Sequence, residues 1–113
     1  MDEDLRQHPR VPGPFDGRRL GMLETPVRIY DLSEGGCFVT CLYNGVPGES
    51  AVLKIQLPHE GWIKVEGEAV YNRPGFGFAL RFTKLTDHAR AALASTVRRL
   101  GKQMPKFLSL AAK

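Results

Sequence analysis

At 113 residues the chain is long enough for one domain with a single core and too short for two. A hydrophobic share of 42% and a charged share of 25% are those of a globular chain, which excludes a disordered or fibrous protein. The net charge of +4 suits an anionic partner, small and phosphorylated or polymeric, without choosing between them.

The chain starts Met1-Asp2-Glu3-Asp4-Leu5-Arg6, too acidic and polar for a secretory signal. No apolar run approaches the roughly 20 residues of a membrane span, so a cytoplasmic protein is expected. Residues 1–14 are expected to form a flexible arm. Pro9, Pro12 and Pro14, with Gly13, oppose a helix and remove ladder donors.

From Phe15 to Phe82 the period is two. Val27 and Ile29 alternate with Arg28 and Tyr30, and Cys37, Val39 and Cys41 with Phe38, Thr40 and Leu42. Leu53, Ile55 and Leu57 share a face. Ile63, Val65, Ala69 and Tyr71 form another, with Gly67 as a candidate bulge. Phe76, Phe78, Leu80 and Phe82 alternate with Gly77, Ala79 and Arg81, a large and small alternation that suits the tight interior of a small barrel. Turn residues punctuate the runs at Ser33 to Gly36, Asn44-Gly45, Pro47-Gly48, Pro58 to Gly61 and Asn72 to Gly75. Short strands so spaced predict an antiparallel barrel or sandwich.

One helix should follow. Thr86 is a fitting N-cap, Asp87 suits the positive helix start, and Gly101 stands where a C-cap glycine belongs. Ala89, Leu93, Val97 and Leu100 recur at helical spacing, so one face should cover the barrel. The expected body is thus residues 15–101, with a mixed tail over 102–113. Trp62, Phe107, Leu108 and Leu110 are expected to pack on that body rather than on a partner. Cys37 and Cys41 lie about 13 Å apart along one strand face, too far for a disulfide or a shared zinc. They read as reduced thiols.

Two motifs carry chemistry. Arg6-Gln7-His8-Pro9-Arg10 is an R-x-x-x-R pair in the arm, and Asp31-Leu32-Ser33-Glu34-Gly35-Gly36 is a D-x-S-x-x-G run at a strand end. Each alone is ordinary: a solvated basic tail, and a turn in which Asp and Ser bind backbone and glycines permit positive φ. Together, with Gly75-Phe76-Gly77-Phe78-Ala79-Leu80-Arg81-Phe82 and the closing helix, they resemble the PilZ family over nearly the whole chain. That resemblance implies a six-stranded antiparallel β-barrel with a C-terminal α-helix. It also implies a receptor for cyclic di-GMP, with Arg6, Arg10, Asp31, Ser33 and Gly36 as ligand-binding residues and Gly35 as a further candidate. The Leu5 position influences ligand number in the family. A leucine there, beside Asp2, Glu3 and Asp4, implies one ligand per chain.

The residue chemistry agrees. An arginine fork can grip a phosphate or guanine O6 and N7, and its flat face can stack on a base. Asp31 is an acceptor-only group matched to guanine N1–H and N2–H. Ser33 can donate and accept beside it, and Gly36 allows a close backbone approach.

Other functions fit less well. His8, His59 and His88 are scattered, Ser33 lacks a nucleophile-elbow context, and no phosphate loop or metal spacing occurs. Neither catalysis nor a metal nor a resident cofactor is expected. Arg98, Arg99, Lys102, Lys106 and Lys113 read as a solvated helix end and tail. No single strand interleaves basic residues with exposed aromatics, and Phe76, Phe78 and Phe82 read as buried, so nucleic acid is not the expected partner. A pilus or motility interaction module without nucleotide is the alternative within the family. It usually lacks the motif residues retained here. The expected partner is a downstream protein, because no output domain accompanies the barrel.

Overall fold

The structure, a computed structural model, describes residues 9–41 and 47–101. Six strands appear in order: β1 (Phe15–Leu20), β2 (Thr25–Tyr30), β3 (Gly36–Thr40), β4 (Ser50–Leu57), β5 (Gly61–Arg73) and β6 (Gly77–Leu85). A helix, α1 (Asp87–Gly101), follows. Every strand pairs antiparallel with its neighbours, and the sheet closes as β1-β2-β3-β6-β5-β4. The six-stranded barrel with its C-terminal helix is the fold that the sequence implied.

Alternation explains closure. Val27 and Ile29, Cys37 and Val39, Leu53 and Ile55, Ile63 and Val65, and Phe78 and Leu80 all point inward and are buried. Their neighbours face out, so a closed barrel fills one interior and leaves no long edge. Burying each large side chain contributes about 1.5–3 kcal/mol. Ile29, Leu53, Ile55 and Phe78 make up much of that interior.

Two shifts interrupt the β5–β6 ladder. Glu66 faces Lys84 while Gly67 faces Phe82, so Thr83 is the extra residue on β6. Gly67, suspected of marking a bulge, stands beside this shift. A Cβ there would collide with the Arg81 carbonyl oxygen and come within 2.8 Å of Leu80 Cγ. In the second shift Ala69 faces Leu80 and Tyr71 faces Ala79, leaving Val70 extra on β5.

That second shift corrects the inward assignment of Tyr71, which a bulge re-aims outward, 53% exposed. Phe76 is corrected as well: it lies in the turn before β6, 65% exposed, with the Arg73 guanidinium 5.7 Å from its ring centre. Phe82 is only partly buried against the core. Trp62, expected to pack on its own barrel, is 44% exposed on the outer face of β5.

Thr86 caps α1, its Oγ1 accepting from Ala89 N at 3.0 Å. Ala89, Ala92, Leu93, Thr96 and Val97 are buried where the helix meets β5 and β6. Buried Thr96 donates to Glu60 Oε1 at 2.9 Å, and the Arg99 fork donates to both Glu60 oxygens at 3.3 Å. Arg99 is therefore a tie between helix and β4–β5 turn, not part of a solvated end. Burial pushes the Glu60 carboxyl up, but hydrogen bonds from Arg99, Ser95 and Thr96 outweigh it and bring it down to about 2.

Before β1 the chain is already docked. Val11 is 5% exposed, and Val11 and Leu32 exchange both backbone hydrogen bonds at 2.8 Å. Asp31 N donates to the Pro12 carbonyl at 3.2 Å. The expected arm covered residues 1–14; from Val11 on, the described chain is paired with the barrel. Val11 has an apolar side chain and both backbone groups to offer, and Leu32 takes them where β2 has ended. Leu5, Arg6 and His8, and the tail with Phe107, Leu108 and Leu110, lie outside the described residues. Cys37 and Cys41 are both thiols, and burial pushes the Cys37 thiol far up, which makes it inert.

Candidate functional site

The site begins where β2 stops. Asp31 has φ of 52°, a left-handed conformation that aspartate tolerates better than most residues. This kink turns Leu32 into the core, fully buried, and leaves the Asp31 carboxylate outside with 58% of its side chain exposed.

Ser33 then builds the turn. It is 4% exposed, and its Oγ accepts from Gly35 N at 3.1 Å and Gly36 N at 3.2 Å while donating to the Gly36 carbonyl at 3.3 Å. One proton and two lone pairs are all a hydroxyl has, so this one is used within its own turn. Gly35 O accepts from Phe82 N at 2.9 Å, pinning the turn to β6. Gly36 opens β3 opposite Arg81, so close that a Cβ would collide with the Leu80 carbonyl oxygen. Its lack of a side chain thus serves the approach of β6. The turn is held by the bonds of its serine and by its tie to β6.

Against this frame lies Arg10, its Nη1 3.4 Å from Asp31 Oδ2. The docking of Val11 and Pro12 beside Asp31 and Leu32 puts it there. The fold therefore brings together Arg10 from the first motif and Asp31 from the second. Such a partly exposed pair contributes about 1 kcal/mol or less, so its members can be re-partnered at little cost.

The outer face beside Asp31 is aromatic. Tyr30 is the register partner of Phe38, Phe38 of Ala79, and Ala79 of Tyr71, which makes one row across β2, β3, β6 and β5. Phe38 and Tyr71 have ring centres 6.5 Å apart. In the next row Arg81 lies between Gly36 and Glu68 and binds Glu68 Oε1 at 2.7 Å. No exposed aromatic–basic strand was visible along the sequence, because this surface forms across strands. Its signal was the outward phase of Tyr30, Phe38 and Arg81; the bulge that adds Tyr71 left no mark in the alternation.

The PilZ domain family matches residues 4–99. The chain belongs to the PilZ domain family. Among solved structures this PilZ domain is similar to the inhibitor of motility MotI/DgrA of Bacillus subtilis, at 27% identity and TM-score 0.69. The match covers 89% of this chain and 52% of that one, so the chain spans about half the length of MotI. The PilZ domain of Escherichia coli YcgR, solved with c-di-GMP, shares the fold at 12% identity and TM-score 0.69, over 92% and 97% of the two chains. No curated protein sequence matches. Among the described residues no His, Cys, Asp and Glu group could hold a metal, and no helix is long and apolar enough to cross a membrane.

Proposed function

We propose that this PilZ domain is a cytoplasmic cyclic di-GMP receptor that signals by contact with a downstream protein, and is not an enzyme. The observation that carries the reading is the Arg10–Asp31 pair, in which both motifs meet on the rim of the barrel. A guanine edge presents O6 and N7 acceptors next to N1–H and N2–H donors. Arg10 supplies the fork for the former and Asp31 the acceptor for the latter, side by side. Tyr30 and Phe38 give a flat apolar surface next to them for a base or the ribose.

Ser33 and Gly36 act chiefly through the turn that holds Asp31. Gly35, with its carbonyl bound to β6, shares that role. Arg6 lies within about 14 Å of Arg10 at full extension and takes a phosphate or the second base. Residues 1–8 form an arm that the ligand draws against the barrel, while Arg10, Val11 and Pro12 stay docked. Arm, ligand and barrel then present a composite surface to the partner. Outputs of motility, exopolysaccharide production, biofilm formation or virulence fit this receptor class. Calorimetric titration of the full chain with cyclic di-GMP tests the reading; one saturable site per chain supports it, and no heat at high ligand concentration rejects it.

A further inference from the structure

Arg18, Lys54 and Lys64 stand side by side on the outer face of β1, β4 and β5. Arg18 is the register partner of Lys54, and Lys54 of Lys64. Strands are about 4.8 Å apart, so the three positions span about 10 Å of the sheet. Like charges directly opposite on a sheet destabilise it. Glu24 compensates Lys54 at 3.4 Å, but among the described residues neither Arg18 nor Lys64 has an ion-pair partner. Two of the three cations in this row are thus left without a compensating carboxylate among the described residues.

Trp62 lies beside it, 44% exposed, two residues before Lys64 and opposite Gln56. These residues, with Glu24 and Ile63, line an open hollow of about 500 Å³. Three cations against one carboxylate make its lining positive. In the closed order β4 stands opposite β3, so the hollow faces away from the Asp31 turn. Tryptophan and arginine are the residues most enriched among those that carry interface energy.

We propose that this face docks an acidic segment of a protein partner. Carboxylates of the segment seat on Arg18 and Lys64, and an apolar side chain covers Trp62. The bordering carboxylates favour a protein over a nucleic acid. Glu24 lies in the hollow and Glu66 two residues beyond Lys64, opposite Val52 and Lys84. A uniform polyanion is repelled by both, whereas a mixed segment places neutral residues there. The face is separate from the Arg10–Asp31 site, so it does not depend on the identity of the ligand bound there.

Trp62 is the chain's only tryptophan, which makes its emission a reporter of this face alone. The full chain is titrated with a tryptophan-free peptide of alternating Glu and Leu, with its Lys-for-Glu counterpart, and with a single-stranded oligonucleotide. The acidic peptide should shift Trp62 emission saturably, and binding should weaken steeply with salt. Lys64→Glu and Arg18→Glu should each weaken it at least 10-fold, and neutral Lys64→Gln at least threefold, with circular dichroism unchanged. Absence of a saturable response at low salt overturns the proposal, as do charge reversals that keep affinity within twofold. Tighter binding of the oligonucleotide than of the peptide also overturns it, in favour of a nucleic-acid face.

Discussion

Arg10 Nη1 lies 3.4 Å from Asp31 Oδ2, joining the arm to the turn that follows β2. Both side chains are partly exposed, so the pair contributes little to stability and much to the arrangement of donors and acceptors at the rim. Arg10→Ala should change unfolding free energy by less than about 1 kcal/mol, whereas Asp31→Ala also puts alanine at a φ of 52° and should cost about 1–2 kcal/mol. Each should weaken cyclic di-GMP binding by about 10- to 150-fold, the loss of charge-assisted hydrogen bonds worth about 1.5–3 kcal/mol. If both groups hold one guanine, the double variant should lose less than the sum. Denaturant titration and calorimetry give the two quantities separately, and additive losses would place the residues on different parts of the ligand.

Ser33 and Gly36 should behave in the opposite way. Ser33→Ala strands the Gly35 and Gly36 amides and should cost about 1–3 kcal/mol of stability. Gly36→Ala drives a methyl at the Leu80 carbonyl and should cost about 1–3 kcal/mol or more by parting β3 from β6. Binding should fall in both because Asp31 is no longer held. A Ser33→Ala protein with parental stability and lost binding would make Ser33 a direct ligand contact instead.

Much of this architecture was legible in the alternation, because closure requires one buried phase per strand and the sequence supplies it in β2 to β6. The Thr86 cap was equally plain. What escaped were features set by register between distant strands. Tyr71 faces out because Val70 is extra relative to β6, a relation that no local pattern records. Val11 docks because Leu32 is in reach, which prolines on either side of it did not reveal. Within the site, the motifs marked Arg10 and Asp31, while the aromatic row of Tyr30, Phe38 and Tyr71 needed the sheet to bring it together.

The Glu60 network sets an acid limit. Its carboxyl stands at about 2 in the fold against an ordinary 4.5, so folding favours the ionised form. That stabilisation is complete above about pH 4.5 and is lost as pH falls toward 2, by at most about 3 kcal/mol. Glu60→Gln should therefore be less stable at neutral pH and converge on the parent protein across that window. Parallel stability curves from pH 6 to pH 2 would show that the Arg99 and Thr96 contacts do not hold the charge.

Hydrogen exchange should separate the docked part of the chain from the part the ligand recruits. The Val11 and Leu32 amides, paired at 2.8 Å, should be protected with and without cyclic di-GMP. Residues 5–8 should gain protection only on binding, at an ordering cost of about 1–2 kcal/mol per residue before proline restriction reduces it. Equal protection of this segment in both samples would remove the arm movement and leave the binding site as a static one.

If the two motifs read guanine, calorimetric titration of the parent protein will separate cyclic di-GMP from cyclic di-AMP. Adenine lacks the N1–H and N2–H donors, so its dinucleotide leaves the Asp31 carboxylate without a partner. Cyclic di-GMP should bind with one ligand per chain and at least 100-fold more tightly than cyclic di-AMP, a difference that Asp31→Ala narrows. Equal affinity for the two dinucleotides, or no binding of either, would mean that Arg10 and Asp31 do not read guanine.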